Sequence, residues 1–164
     1  MEYISSDTNV WIDFNIISRM NLPFLLPYTY IMYTESMESE LLNPEGFKDQ
    51  LAEAGLVGVD ITIEEFFLAQ SWGPLYPKLS IQDRIALAIA KQRDITLLTG
   101  DKALRMAAAQ EGVHVIGTLG ILDQLFDGQY IAKDEYLYCL QDNGGEVRLP
   151  RAELKKRLDC FNDS

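Results

Sequence analysis

Residues 80–116 decide the fold, and they read SIQDRIALAIAKQRDITLLTGDKALRMAAAQEGVHVI. Apolar residues at helical spacing predict a helix over 80–91, and the apolar run 95–99 predicts a strand directly after it. A second helix is predicted over 102–111, because a glycine follows it as a C-cap, and a second strand over 113–116. The stretch therefore indicates helices and strands that alternate with short connections.

The same alternation extends back to the N-terminus. Upstream strands are predicted at 3–6, within 24–32 and at 57–61, and upstream helices at 10–17, at 34–42 and from 62. Strands that alternate with helices form a parallel sheet with right-handed crossovers and helices on both faces. The predicted fold class is therefore α/β, a three-layer α/β/α sandwich around a central parallel sheet of about five strands.

The pattern changes near the C-terminus, where strands give way to helices. Two further helices are predicted, at about 133–141 and 151–161, with the turn-rich segment 142–150 between them. We interpret residues 128–164 as a helical C-terminal extension of the domain formed by residues 1–127, and not as a second domain.

Bulk composition is that of an ordinary soluble protein. The chain of 164 residues is 48% hydrophobic and 24% charged, which fits one globular domain and excludes a disordered or fibrous chain. No apolar run reaches the length of a membrane span, and the opening MEYI lacks the basic and apolar regions of a signal peptide. We therefore expect a cytoplasmic protein with no membrane partner. Cys139 and Cys160 show no metal-like spacing and are interpreted as ordinary thiols.

The net charge has the wrong sign for broad electrostatic binding to nucleic acid. Lysine and arginine number 14 against 25 aspartates and glutamates, which gives a formal charge of −11. Nucleic-acid binding stays compatible with this balance in two cases. Either much of the negative charge is gathered to hold cations, or a local basic patch or a basic partner supplies the phosphate contacts.

Acidic residues follow the predicted strands at one edge of the sheet. Ligands of open parallel sheets bind beyond the carboxyl ends of the strands, where the strand order reverses. Asp7 leaves the first strand and Asp101 leaves the fourth, and Asp83 stands in the first turn of a crossover helix that begins at the same edge. Each also has a structural interpretation: Asp7 and Asp83 as residues that favour a helix N-terminus, and Asp101 as a turn residue.

Three glutamates in the helix after the second strand meet the same condition. They are Glu35, Glu38 and Glu40. Their spacing lets at most one or two of them face the crevice, and each alone is typical of a solvated helix face.

Crowded carboxylates without matching lysines are typical of a site for a hard cation such as Mg²⁺ or Mn²⁺. Such an ion lowers the pKa of a bound water and neutralises charge on a phosphate. The lack of His and Cys ligands argues against zinc. His114 lies between two valines of a predicted strand and is interpreted as a core or edge residue.

Four stretches resemble PIN-domain proteins, particularly the VapC-like bacterial branch, whose best-known members are toxin ribonucleases. They are 6–13 (SDTNVWID), 79–91 (LSIQDRIALAIAK), 97–105 (LLTGDKALR) and 117–123 (GTLGILD). The resemblance covers most of the chain up to about residue 125.

This resemblance implies a phosphodiesterase that hydrolyses RNA with Mg²⁺ or Mn²⁺, by metal-activated water and without a covalent intermediate. Asp7, Asp83 and Asp101 match the family's metal-binding acids. Its second acid usually precedes a leucine pair, which Glu40 matches best. The resemblance therefore assigns catalysis and metal binding to these four residues.

Further roles follow from the same resemblance. Asn9 and Thr99 occupy positions whose side chains support the acids by hydrogen bonds. Arg84, Lys102 and Arg105 are near enough in sequence to contact phosphate, although such residues are more often plain surface groups. Many family members carry another acid two residues after Asp101, where this chain has alanine, which weighs against a second metal.

Three functional interpretations stay open. The first is the ribonuclease, with a role as the toxin of a toxin-antitoxin pair by family analogy, which leaves room for a small antitoxin-like protein partner and for a homodimer. The second is a catalytically weak PIN-like module that binds a protein partner. The third is a receiver-like signalling domain, but Asp60 is poorly placed as its phosphorylated residue because the predicted strand continues past it.

Overall fold

A computed structural model of the chain describes residues 2–141 and 150–162. Its sheet has five parallel strands in the order β3-β2-β1-β4-β5. The strands are β1 (Glu2–Ser6), β2 (Tyr28–Tyr33), β3 (Val57–Val59), β4 (Thr96–Leu98) and β5 (Val115–Ile116). The order reverses direction between β1 and β4, which are hydrogen-bonded neighbours. The predicted α/β class and parallel sheet are confirmed.

Helices connect the strands and follow the last one. They are α1 (Thr8–Ile16), α2 (Thr34–Glu40), α3 (Phe47–Ala54), α4 (Ile63–Ser71), α5 (Ile81–Arg93), α6 (Lys102–Gln110), α7 (Thr118–Asp127), α8 (Lys133–Cys139) and α9 (Arg151–Asn162). A short 3₁₀ turn, Leu22–Leu25, precedes β2. The predicted segment 142–149 between the last two helices lies outside the described residues.

The two faces of the sheet bury two separate apolar clusters. In β2, Tyr30 and Met32 belong to one cluster and Ile31 to the other, as the alternation of side chains along a strand requires. The first cluster is built mainly from α1, α3, α7 and α8, and the second from α4, α5 and α6. The helices therefore form layers on both faces of the sheet, which confirms the predicted three-layer sandwich.

Several predicted bounds differ from the structure. Strand β3 ends at Val59, two residues earlier than predicted, and α2 ends at Glu40. Strand β5 begins only at Val115, so His114 precedes the strand and its side chain is exposed. The backbone carbonyl of His114 still accepts a hydrogen bond from the Leu97 N–H at 2.9 Å, which makes it an edge residue and not a core one.

Helix α3 was not predicted from the sequence, because turn signals surround it. Pro44 and Gly46 precede it, and Gly46 adopts a left-handed conformation with φ of 80° that favours glycine. Gly55, with φ of 136°, follows its last residue. Phe47 and Leu51 of this helix are buried in the first cluster, so burial stabilises a short helix that local signals disfavour.

The C-terminal helices pack on the first cluster. Tyr136, Cys139 and Leu140 are buried there, and Leu154 and Leu158 of α9 pack against it. The division of the chain after residue 127 stays a prediction. No helix among the described residues is both long and apolar enough to cross a membrane.

Candidate active site

The sheet brings Asp7 to the point where the strand order reverses. Asp7 directly follows β1, and its backbone N–H donates to the Leu98 carbonyl at the end of β4, at 2.9 Å. Its residue is only 6% exposed, and its carboxylate makes no capping hydrogen bond to α1. Asp7 therefore occupies the N-cap position of α1 without the side-chain hydrogen bond that a capping residue usually makes.

The surroundings of the Asp7 carboxyl disfavour its ionised form. Burial is the main reason that its pKa is raised from 3.8 to about 7. The charge of Asp83 raises this pKa further, and that of Asp101 does so more weakly. Hydrogen bonds from the Thr99 hydroxyl and the Thr8 N–H lower it. The two neighbouring aspartates therefore act on Asp7 through space.

Asp101 is linked to Asp7 through Thr99. The buried Thr99 hydroxyl donates to Oδ2 of Asp7 at 2.9 Å and accepts from the backbone N–H of Asp101 at 3.1 Å. Oδ2 of Asp101 accepts from the N–H of Leu104 at 2.9 Å and thus caps α6. One threonine therefore joins the two acids that follow β1 and β4.

Asp83 is held in place by the start of α5. Its Oδ2 accepts from the Ser80 N–H, and its own N–H donates to the Ser80 hydroxyl, both at 3.1 Å, which forms a capping box. The Ser5 hydroxyl of β1 donates to the Ala86 carbonyl at 2.9 Å and fixes α5 against the strand. Asp83 therefore helps to cap α5 and also lies close enough to Asp7 to raise its pKa.

Glu40 is the glutamate of α2 whose carboxyl interacts electrostatically with another of the acids, Asp83. Although the residue as a whole is exposed, its Oε1 accepts from the Thr8 hydroxyl at 3.0 Å. Burial of the carboxyl raises its pKa, the hydrogen bond from Thr8 lowers it, and the charge of Asp83 raises it. Glu35 and Glu38 are exposed.

A cavity of about 10 Å³ lies between Asp7 and Glu40, lined also by Thr8, Ser36 and Gln82. That is at the lower limit of the space that one water molecule requires. Asp83 is not among the residues that line this cavity.

The donor set fits a hard divalent cation, whereas the spacing of the acids is loose. Asp7, Glu40, Asp83 and Asp101 offer only carboxylate oxygens, and none of them is in a salt bridge with a lysine or arginine among the described residues. Within the same residues, no three His, Cys, Asp or Glu side chains lie close enough together to form a ready-made metal site. Mutual repulsion favours such a spread until a cation neutralises it.

Two predicted roles, the support of the acids by Asn9 and the phosphate contact of Arg84, have no matching hydrogen bond among the described residues. Among the described residues, the side chain of Asn9 makes no hydrogen bond to any of the four acids, and Thr8 makes the one to Glu40. Consecutive helix residues point in directions about 100° apart, so only one of the pair faces Glu40. Arg84 donates to the carbonyls of Ala69 (2.9 Å) and Ser80 (3.4 Å), so its guanidinium ties α4 to α5 and is not directed to phosphate.

The other two basic residues are placed differently. Lys102 is exposed at the first position of α6, next to Asp101. Arg105 is half-buried, one turn further along the same helix, and its Nε has no hydrogen-bond partner among the described residues. Thr8 was missed by the sequence analysis, and the only sequence signal for it is a hydroxyl directly after a candidate acid.

The whole site lies inside a match to a known family. A family model described as a PIN domain matches residues 3–163, which include all four acids and the C-terminal helices. Neither the curated proteins nor the solved structures give a significant match. Because the family model covers nearly the whole chain, this protein belongs to the PIN-domain family.

Proposed function

We propose that this protein is a metal-dependent ribonuclease whose active site is formed by Asp7, Glu40, Asp83 and Asp101. PIN domains are generally nucleases, and the family match supports that coarser function directly. One observation carries the finer proposal: Asp83 acts electrostatically on both Asp7 and Glu40, and Asp101 acts on Asp7. Four acids on different elements thus share one field at the reversal point of the sheet.

These residues would hold Mg²⁺ or Mn²⁺ through their carboxylate oxygens. When bound, the ion lowers the pKa of a water molecule and neutralises charge on the phosphate. The chain's own hydrogen bonds orient the ligands: Thr99 fixes Asp7, and Thr8 fixes Glu40. Exposed Lys102 is free to contact a phosphate oxygen beside Asp101.

The substrate class rests on the resemblance of the motifs to the VapC-like branch. We propose single-stranded RNA as the substrate and hydrolysis in the cytoplasm, without a covalent intermediate. By the same analogy the protein is the toxin of a toxin-antitoxin pair, with a small antitoxin-like partner and a homodimeric assembly as further proposals.

A catalytically weak PIN-like module that binds a protein partner is the second candidate. Two observations favour it: the acids are not gathered into a ready-made metal site within the described residues, and the chain carries a formal charge of −11. Such a module would keep the acids and their hydrogen bonds without turnover.

Single-turnover cleavage of a labelled single-stranded RNA separates the two candidates. Wild type is expected to cleave with Mn²⁺ and to stop with a chelator. Asp7→Asn is expected to lower the rate at least about a hundredfold, because positioning of the cation contributes several kcal/mol to transition-state stabilisation. Glu38→Gln is the matched control, since it also neutralises one acid but on an exposed side chain. Equal rates for wild type and Asp7→Asn, or no metal-dependent turnover at all, would contradict the proposal.

A further inference from the structure

A cavity outside the acidic site lies at the N-terminus of α7. Its volume is about 170 Å³, and we call it the α7 pocket. The residues that matter for its chemistry are Arg105, Gly117, Thr118, Glu153 and Arg157. Gly100 also lines it and directly precedes Asp101, so the α7 pocket adjoins the edge of the sheet that carries the acids.

The start of α7 offers backbone donors that no side chain covers. Gly117 is the N-cap and has no side chain, so no capping hydrogen bond is made, and the first turn contains no acid. The first N–H groups of a helix have no partner within the helix, and the helix dipole places partial positive charge at this end. By itself this describes many helices.

A second, independent observation points to a ligand. Thr118 is 3% exposed, and its Oγ1 has no hydrogen-bond partner among the described residues. The Nε of Arg105 is likewise buried without a partner there. Leaving buried polar atoms unsatisfied costs free energy, so native proteins rarely do so without a reason. Both atoms belong to residues that line the α7 pocket, and a ligand with acceptor oxygens would satisfy both once the two side chains turn toward it.

The charges around the α7 pocket select the kind of anion. Arg105 forms no ion pair among the described residues, whereas Arg157 is paired with Asp123 at 2.6 Å and with Glu153 at 3.3 Å. The Glu153 carboxylate lines the α7 pocket and opposes an anion. The formal charges of these four side chains cancel, which leaves the helix dipole as the net attraction. A singly charged oxyanion fits this balance better than a doubly charged one.

We infer that the α7 pocket binds a phosphodiester of the RNA strand next to the one that is cleaved. A phosphodiester carries one negative charge and two unesterified acceptor oxygens, which match the donors of Arg105, Thr118 and the α7 N-terminus. The inference rests on the proposed function, because it takes RNA as the substrate. It assigns Arg105 and Thr118 to substrate binding, where they act on affinity and not on the chemical step.

The test compares binding and cleavage of one labelled single-stranded RNA by Arg105→Gln, Thr118→Val, Thr118→Ser and Lys48→Gln. Binding is measured with chelator, and single-turnover cleavage with Mn²⁺. Thr118→Val has the same shape without the hydroxyl, Thr118→Ser restores it, and Lys48→Gln removes one partly exposed charge on α3. Thermal melting shows that each variant folds, and Thr118→Val is expected to melt no lower than wild type, because it removes an unsatisfied hydroxyl.

Arg105→Gln and Thr118→Val are expected to weaken RNA binding about tenfold, with the cleavage rate at saturating RNA unchanged. The slope of log Kd against log salt is expected to fall by about 0.7 in Arg105→Gln, which loses one phosphate contact. Thr118→Ser and Lys48→Gln should bind as wild type does.

The possible results separate the two proposals. If wild type cleaves RNA and the two folded variants bind it as tightly as wild type, the α7 pocket proposal is overturned and the ribonuclease stands. If binding depends on Arg105 and Thr118 but no cleavage occurs, the α7 pocket stands and the ribonuclease falls. If wild type neither binds nor cleaves RNA, both fall.

Discussion

Replacing Asp7 with asparagine is expected to stabilise the metal-free protein at neutral and higher pH. The Asp7 carboxyl is buried, and its pKa is raised from 3.8 to about 7. Between these two values the unfolded chain has lost the proton while the folded chain still holds it, so wild-type stability falls as pH rises. Above the folded pKa, the protein bears the full cost of a buried carboxylate.

The size of the effect follows from the two pKa values. A gap of about three units corresponds to roughly 4 kcal/mol, at about 1.4 kcal/mol per unit. A pH of about 5 is still well below the folded pKa, so most of the loss of stability occurs between there and a pH of about 8. The change in the free energy of unfolding over that range is roughly 3 kcal/mol. Asparagine does not titrate, and its amide oxygen can still accept the hydrogen bond from Thr99.

Urea unfolding with chelator at these two pH values measures the effect. The stability of Asp7→Asn relative to wild type should be greater at the higher pH by roughly 3 kcal/mol. Glu38→Gln is the control, because its side chain is exposed. A difference between Asp7→Asn and wild type that is the same at both pH values would show that burial does not perturb Asp7, and the reasoning above would fail.

Other parts of the site allow shorter tests. Glu40→Gln should slow single-turnover cleavage about tenfold or more, or roughly 1.4 kcal/mol in barrier, whereas Glu35→Gln and Glu38→Gln should not; a loss confined to Glu38→Gln would move the site to another face of α2. Mn²⁺ at about a hundred times its Kd should raise the wild-type free energy of unfolding by roughly 2.7 kcal/mol, measured with and without chelator at matched ionic strength. An unchanged free energy of unfolding would contradict the proposed cation site. Arg84→Met should lower the free energy of unfolding by about 1 kcal/mol, because the hydrogen bond to the Ala69 carbonyl is lost. Its KM for RNA should not change, and a raised KM would show that Arg84 contacts the substrate.

The sequence was sufficient for the architecture because the relevant signals are local. The apolar spacing and caps of residues 80–116 define two helices and the strand between them, and alternation then implies a parallel sheet. The same logic placed Asp7 and Asp101 at one edge, since parallel strands end together. Helix α3 could not be predicted in this way, because its burial depends on Phe47 and Leu51 packing with residues far along the chain.

Side-chain partners could not be predicted in the same way. Whether Arg84 faces a phosphate or the Ala69 carbonyl depends on how α4 packs against α5, which no local pattern encodes. The lack of hydrogen-bond partners for Arg105 and Thr118 depends on how α6, α7 and α9 pack around the α7 pocket, so the sequence could not predict it. Sequence spacing thus placed Asp7 and Asp101 at one edge of the sheet, whereas the side chains around them are known only from the structure.

Asp101 shows that a helix cap and a site acid can be the same residue, and a pair of variants separates the two roles. Asp101→Asn keeps a good N-cap for α6, since asparagine and aspartate cap about equally well, but it removes the charge next to Asp7. Asp101→Ala removes both and should cost about 1 kcal/mol of stability. We therefore expect Asp101→Asn to be at least as stable as wild type without metal yet to lose most metal-dependent cleavage, and Asp101→Ala to lose both stability and cleavage. Urea unfolding with chelator and single-turnover cleavage with Mn²⁺ measure the two roles independently. If Asp101→Asn cleaves RNA at the wild-type rate, Asp101 has only its capping role, and the proposed site is reduced to Asp7, Glu40 and Asp83.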